Sequence, residues 1–225
     1  MLPFADNKTA KVADLIMERV NCPIDRILVV GCGKGIEAAI LADYFGGKVE
    51  GIDIKNEFDP IAKTYAGLRI GDAMALDLPD SSIDLVYSYH ALEHIEDPIK
   101  ALCEMSRVLK PGGGYWIGTP NRDRLVGYIG AKEGSVSDKL RWNLDDWKMR
   151  MRGKFRNEFG SHAGYSRNEL HQMLKVAFGN VTDMTDIYFE KLYSRRRLML
   201  STICSTGMSR VLYPSVYFCG LNRVD

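Results

Sequence analysis

Apolar and polar positions follow two rhythms along the first half of the chain. Five short runs are rich in β-branched and aromatic residues: RILVVG (26–31), KVEGIDI (48–54), LRIGDA (68–73), IDLVYSY (83–89) and GGYWIGT (113–119). Between them the apolar residues recur at helical spacing. Near the start, Val12, Leu15, Ile16 and Val20 share one helical face, with Asn21 as a stop. A second helix runs from Ile36 to Phe45 and ends at Gly46-Gly47. A third takes Asp97 as its cap and Pro98 as its first residue, carries Ile99, Leu102, Met105 and Leu109 inward, and stops at Lys110-Pro111-Gly112. Strands alternating with helices in this way predict crossover units and a parallel sheet, an α/β fold.

From Asn121 to Gly160 the rhythm fails. Glycines, charges and the aromatic anchors Trp142, Trp147 and Phe155 follow no clean period, and ten Lys/Arg face six Asp/Glu, a local excess of +4. This stretch reads as a partly helical insertion at the edge of the fold, extending to about residue 165 and placed as a lid over an acceptor site. The regular pattern returns with a capping box, Ser166 to Glu169, which opens a helix carrying Leu170, Met173, Leu174, Ala177 and Phe178 on one stripe and closing at Gly179. Two strand candidates end the chain, VTDMTDIYFEKLY (181–193) and SVYFCGLN (215–222), separated by a helical segment from about 194 to 208. A length of 225 residues with 46% hydrophobic positions suits one domain over 1–225 with a single sizeable core.

Composition narrows the class. Thirty basic side chains against 29 acidic ones leave a formal charge of +1, so a global nucleic-acid-binding excess is absent and DNA is not an expected partner. The five cysteines are scattered with no CxxC pair, which argues for reduced thiols and against a disulfide framework or a zinc knuckle; no metal is expected. The N-terminus carries charges throughout and lacks the apolar core of a signal peptide, and LMLSTICSTGM (198–208) is too short and interrupted to span a bilayer. A cytoplasmic location is expected.

The candidate chemistry begins where the first strand runs into Gly31-Cys32-Gly33-Lys34-Gly35 and then straight into a helix. Such a turn directs backbone N–H groups at an anionic or polar ligand, although a glycine can stand here for packing alone. Asp53 ends the second strand 22 residues after Gly31, where a carboxylate can accept both hydroxyls of a ribose. Asp72 follows the third strand, placed to accept from an adenine amino group; either aspartate can also be a turn residue or a cap. A dinucleotide fingerprint wants its third glycine at the position of Ile36, whereas here it stands at Gly35, which counts against NAD.

With ILVVGCGKG, VEGIDI, the long segment GDAMALDLPDSSIDLVYSYHALEHIEDPIKALCEMSRVLKPGGGYWIGTPN and the later GYSRNELHQMLKVAFG, the chain resembles the S-adenosylmethionine-dependent methyltransferases with the Rossmann-like fold. The likeness is strongest to the small-molecule group that includes the ubiquinone and menaquinone biosynthesis enzymes. It implies a three-layer fold around a seven-stranded, mostly parallel sheet whose last strand is antiparallel, with SVYFCGLN as that strand. It also implies S-adenosyl-L-methionine as cofactor, with Gly31, Gly33 and Gly35 at the methionine portion, Asp53 at the ribose, Asp72 with Ala73 at the adenine, and Ser88, Tyr89 and His90 near the sulfonium. Cys32, Ile54, Met74 and His94 complete the expected cofactor-binding set.

Methyl transfer needs the nucleophile held in line in a dry pocket, and a base only for a hydroxyl or a protonated amine. His90, at the carboxyl end of the fourth strand, is the candidate base; its alternative is a hydrogen-bonded pocket residue. His162 with Tyr165 can reach over the acceptor or brace its loop, and His171 reads as solvated. Arg122, Arg124, Arg141, Arg150, Arg152 and Arg156 can clamp an acidic group on the acceptor or decorate a solvated lid, and the SRRR run (194–197) admits the same two readings. The expected activity is methylation of a small molecule on oxygen or nitrogen, including an acidic or nucleotide-linked acceptor. RNA methylation and a noncatalytic cofactor-binding partner subunit are the alternatives.

Overall fold

The computed structural model describes residues 7–20, 22–128, 134–159 and 161–224. In chain order the elements are α1 (Asn7–Met17), β1 (Arg26–Val30), α2 (Ile36–Phe45), β2 (Lys48–Asp53), β3 (Gly67–Ile70), β4 (Ile83–Tyr89), α3 (Pro98–Val108) and β5 (Leu109–Pro120). They continue with α4 (Val136–Met151), α5 (Arg167–Phe178), β6 (Thr182–Asp183), α6 (Thr185–Leu192), α7 (Arg197–Ser205), α8 (Ser209–Leu212) and β7 (Ser215–Leu221). Asn21, read as the stop of the first helix, lies outside the described residues, as does Gly160.

The strands form one seven-stranded sheet in the order β3-β2-β1-β4-β5-β7-β6. β1 to β5 run parallel, and β7 lies antiparallel between β5 and β6, as the resemblance implied. The central strands β1 and β4 are buried along nearly their whole length because both faces are covered. Ile27 and Val29 of β1 pack with Leu15, Ile16, Leu41 and Tyr217 on the α1, α2 and α6 side. Leu28 and Val30 point the other way, into Leu102, Met105, Leu170, Leu174 and Phe178 of α3 and α5. Each such fully buried side chain contributes roughly 1.5–3 kcal/mol relative to exposure. The strand order reverses between β1 and β4, and this opens a crevice at their carboxyl ends.

Helix ends obey local rules. Asp97 accepts the Lys100 N–H at 3.0 Å with Pro98 behind it, and Ser166 and Glu169 form a reciprocal capping box. Four readings need correction. Ile99 is 43% exposed, because α3 turns Ala101, Leu102, Met105 and Val108 inward, and Leu109 is buried as the first residue of β5. The run 181–193 is a strand only at Thr182–Asp183; from Thr185 it is helix α6, which buries Tyr188 and Phe189 beside Met184 at a helical, not alternating, spacing. β3 stops at Ile70, so Asp72 sits in the following turn. His171 is half-buried, its ring 6.1 Å from that of Phe218.

Between β5 and α5, both ends of the 121–165 segment leave the sheet edge together, since Asn121 and Tyr165 form a parallel bridge and the Arg122 N–H donates to the Tyr165 carbonyl at 3.1 Å. Its main element is α4, none of whose side chains is buried. Of the three aromatic anchors only Phe155 is buried; Trp142 is half-buried and Trp147 is 42% exposed.

Candidate active site

The turn after β1 is pinned to β2, because the N–H groups of Gly31 and Cys32 both donate to the Ile52 carbonyl at 2.9 Å. Gly31 (φ 70°) has no room for a side chain, since a Cβ there would overlap that of buried Ala91. Gly33 (φ 51°) differs: a Cβ would meet no atom within 4 Å, so its backbone faces open space over the crevice. Asp53 closes this loop, accepting the Gly33 N–H at 2.8 Å and the Lys55 N–H at 3.0 Å through its two oxygens. Gly35 caps α2 without a side-chain hydrogen bond. The Cys32 thiol is packed beneath Gly51 and raised to about 12 by burial and by Asp53, so only the backbone of Cys32 belongs to the turn.

Beside Asp53 the apolar Ile54 is 75% exposed. Asp72 accepts the Met74 N–H at 2.8 Å, and Ala73 and Met74 are half-buried behind it. The open α-carbon of Gly33, the adjacent carboxylate and the bare apolar surface of Ile54 fit a nucleoside with a polar tail. Across the crevice, Ser88 Oγ is buried with no hydrogen-bond partner, as expected of a side chain that awaits a ligand.

His90 follows β4 with a left-handed backbone (φ 54°), uncommon for a side chain with a Cβ, and is held there by its N–H donating to the Gly118 carbonyl at 2.8 Å. Its ring stacks on Tyr89 at 4.4 Å, whose hydroxyl lies 3.3 Å from that of Tyr217. His90 Nε2 is buried without a partner, and Nδ1 lies 3.9 Å from Glu93 Oε1. Burial first, then the charges of Arg124, Lys8, His94 and His162, push its pKa down to about 3. Glu93 stands in the short 3₁₀ turn Leu92–His94, its side chain 1% exposed and its Oε2 unpartnered. Burial raises it to about 7, against the opposing pull of its backbone hydrogen bond and Arg124.

The tertiary structure brings the other sequence candidates to the same place. The rings of His94 and His162 meet edge to face at 4.9 Å, and burial, then His162 and Lys55, lower the pKa of His94 while Asp53 opposes. Tyr165 is buried and its hydroxyl donates to the Leu92 carbonyl at 3.4 Å. Beyond them opens a cavity of about 890 Å³, lined among others by Glu93, His94, Arg122, Arg156, Tyr165 and Glu169. Such a volume suits a small molecule. Glu93 was not among the sequence candidates. Its signal is a carboxylate one residue beyond buried Leu92 in the turn after a central strand, where open α/β sheets bind ligands.

The arginines of the insertion mostly serve their own chain. Buried Arg124 donates to the carbonyls of Asn121, Ala163 and His162 and to Asp146, each at 3.0–3.1 Å. Arg150 donates to the carbonyls of Arg122 and Arg124 and lies 4.0 Å from the Phe155 ring centre. Arg122 pairs with Glu169 at 2.6 Å, and Arg141 pairs with Asp138 on the surface. Arg195 and Arg196 are exposed in a 3₁₀ turn, Ser194–Arg196, and do not line the cavity. Of the two readings of these arginines, the clamp on an acidic acceptor is not formed; Arg156 alone of the six lines the cavity with no ion pair or side-chain hydrogen bond among the described residues.

Comparison with known proteins accords with this geometry. Residues 28–117 match the model of a family described as a methyltransferase domain. The ubiquinone biosynthesis O-methyltransferase of Pseudomonas fluorescens is 32% identical over 129 residues, 52% of this chain and 55% of that protein. The 2-methyl-6-phytyl-1,4-hydroquinone methyltransferase of a Synechocystis species is 41% identical over 98 residues, 40% of this chain and 30% of that protein. The chain spans about half or less of the length of these curated relatives. Among solved structures, the YcgJ protein of Bacillus subtilis superposes with a TM-score of 0.59 at 17% identity, covering 96% of this chain and 99% of that one. Phosphoethanolamine N-methyltransferase 2 of Haemonchus contortus, in complex with S-adenosyl-L-methionine, superposes with a TM-score of 0.60 at 19% identity, covering 96% and 52%. Over residues 28–117 the chain thus matches a methyltransferase domain, its relatives there include S-adenosylmethionine-dependent methyltransferases, and its 3-2-1-4-5-7-6 sheet has the Rossmann-like methyltransferase fold.

Proposed function

We propose that the chain moves a methyl group from S-adenosyl-L-methionine to a small-molecule acceptor, on oxygen or nitrogen. One observation carries the reading: the Asp53-braced glycine turn and the buried, unpartnered atoms of Ser88 and His90 gather at the carboxyl ends of β1, β2 and β4, and Glu93, three residues beyond His90, lines a cavity of small-molecule size. When bound, the cofactor supplies an electrophilic methyl carbon on a cationic sulfur. The remaining work falls to the chain's own side chains.

Asp53, whose oxygens are fixed by two backbone N–H groups, keeps lone pairs for ribose hydroxyls, and Asp72 does the same for an adenine amino group. The exposed face of Ile54 covers the base plane. His90, held neutral at physiological pH by its burial, orients the acceptor by taking a hydrogen bond from its O–H or N–H at Nε2. Its depressed pKa makes it a poor store for a proton, so its role is to aim the acceptor, while a proton released on transfer passes to solvent. The 121–165 segment supplies one wall of the cavity and keeps water from the reacting atoms. A cytoplasmic setting accords with five free cysteines, and among the described residues no helix is long and apolar enough to cross a membrane.

The reading is tested by calorimetric titration with S-adenosylhomocysteine and by transfer of labelled methyl to a panel of phenols and amines. His90→Ala should lower turnover by about tenfold or more while affinity for S-adenosylhomocysteine stays within about twofold of wild type. A wild-type rate removes His90 from the site, and the absence of saturable binding removes the activity.

A further inference from the structure

The 890 Å³ cavity has an uneven charge. Its wall carries Glu93, Glu96, Glu158 and Glu169 against Arg122 and Arg156. Arg122 is already spent, its Nη1 2.6 Å from Glu169 Oε1 and its other donors on the Gly164 carbonyl. Among the described lining residues, three carboxylates then remain against one guanidinium. Glu93 is the deepest of them, with a side chain 1% exposed and Oε2 without any hydrogen-bond partner. Glu96 and Glu158 stand at the exposed rim.

A buried carboxylate with an empty acceptor oxygen is costly unless a donor reaches it, and a cationic donor offsets the cost best. An anionic acceptor would meet like charge at the floor and at the rim. We propose, resting on the methyltransferase reading, that this cavity is the acceptor subsite and that it selects a molecule bearing a protonated amine, which Glu93 receives at the cavity floor. Tyr165 provides an aromatic wall for the body of the acceptor, and its hydroxyl is turned away to Leu92. Glu93 also adjoins His90, at 3.9 Å, so an amine seated there lies beside the residue that faces the cofactor crevice.

Three para-alkylated phenols of similar size and different charge test the idea on protein saturated with S-adenosylhomocysteine: tyramine, 4-ethylphenol and 3-(4-hydroxyphenyl)propionate. Binding is followed by calorimetry or ligand-observed NMR. Tyramine should bind at least about tenfold tighter than the neutral analogue, and the propionate weakest of all. Glu93→Gln should abolish that order, and Arg156→Gln, which removes a cation from the exposed wall, should tighten tyramine by about two- to threefold. Titration of each variant with S-adenosylhomocysteine shows that the crevice is intact. Equal affinities, preference for the propionate, no tyramine binding, or a tyramine preference that survives Glu93→Gln overturns the proposal while the methyltransferase reading stands. Loss of S-adenosylhomocysteine binding in the wild type overturns both.

Discussion

Two glycines two residues apart should fail in opposite ways when each is replaced by alanine. Both have left-handed backbones, at φ 70° for Gly31 and 51° for Gly33, so each alanine carries a conformational cost of about 1–2 kcal/mol. At Gly31 the new methyl also overlaps the Cβ of Ala91, a buried residue held by the turn after β4, and overpacking of this kind adds about 1–3 kcal/mol. Gly31→Ala should therefore lose roughly 2–5 kcal/mol of stability in urea titrations followed by circular dichroism. Gly33→Ala has no atom within 4 Å of its methyl and should lose only the conformational share. Its methyl instead enters the volume assigned to the cofactor, and its affinity for S-adenosylhomocysteine should fall by about tenfold or more, as a lost backbone approach requires. Equal stabilities for the two variants would refute the packing argument, and wild-type affinity in Gly33→Ala would refute the placement of the cofactor.

Asp53→Ala should weaken S-adenosylhomocysteine binding by more than about 1 kcal/mol in calorimetry, since a charge-assisted hydrogen bond to the ribose is lost; unchanged affinity removes Asp53 from the site. Glu93 gives a pH signature. Its carboxyl titrates near 4.5 when unfolded and near 7 when folded, so the folded state binds its proton more tightly. That contribution is complete below pH 4.5 and is lost as pH rises through 7, by up to about 3 kcal/mol. The stability of Glu93→Gln relative to wild type should accordingly rise between pH 4.5 and 7 and then level off, and a difference independent of pH would show that Glu93 is not desolvated. Arg124→Ala leaves buried carbonyls and Asp146 unpaired, and should cost about 3–5 kcal/mol and expose the 121–165 segment to limited proteolysis; an uncleaved, equally stable variant would contradict the hub role given to Arg124.

Where the sequence was read amiss, a competing interaction explains it. Residues 184–189 look like a strand because Thr, Ile, Tyr and Phe favour one, yet β7 offers pairing only to Thr182 and Asp183 before the aromatic cluster around Tyr217 takes up Tyr188 and Phe189 as a helical face. The arginines of the insertion look like ligands for an anion because their partners, backbone carbonyls of residues 121–124 and 162–164, are invisible to pattern reading. Glu93 passed as part of a turn, since nothing local to Leu92–His94 reveals that both of its flanks are covered.

Local order within a few residues is written in the chain itself: the caps at Asp97 and Ser166, the glycine turn after β1, the alternation that stacks helices on a parallel sheet, and Asp53 one strand away from that turn. These depend on hydrogen bonds and side-chain periods that span four residues or one crossover unit. The solvation of His90 and Glu93, the meeting of His94 with His162 across 68 positions, and the charge of the cavity beside them were decided only on folding. Burial and long-range electrostatics depend on which distant segments exclude water from a group, and no stretch of sequence carries that information alone.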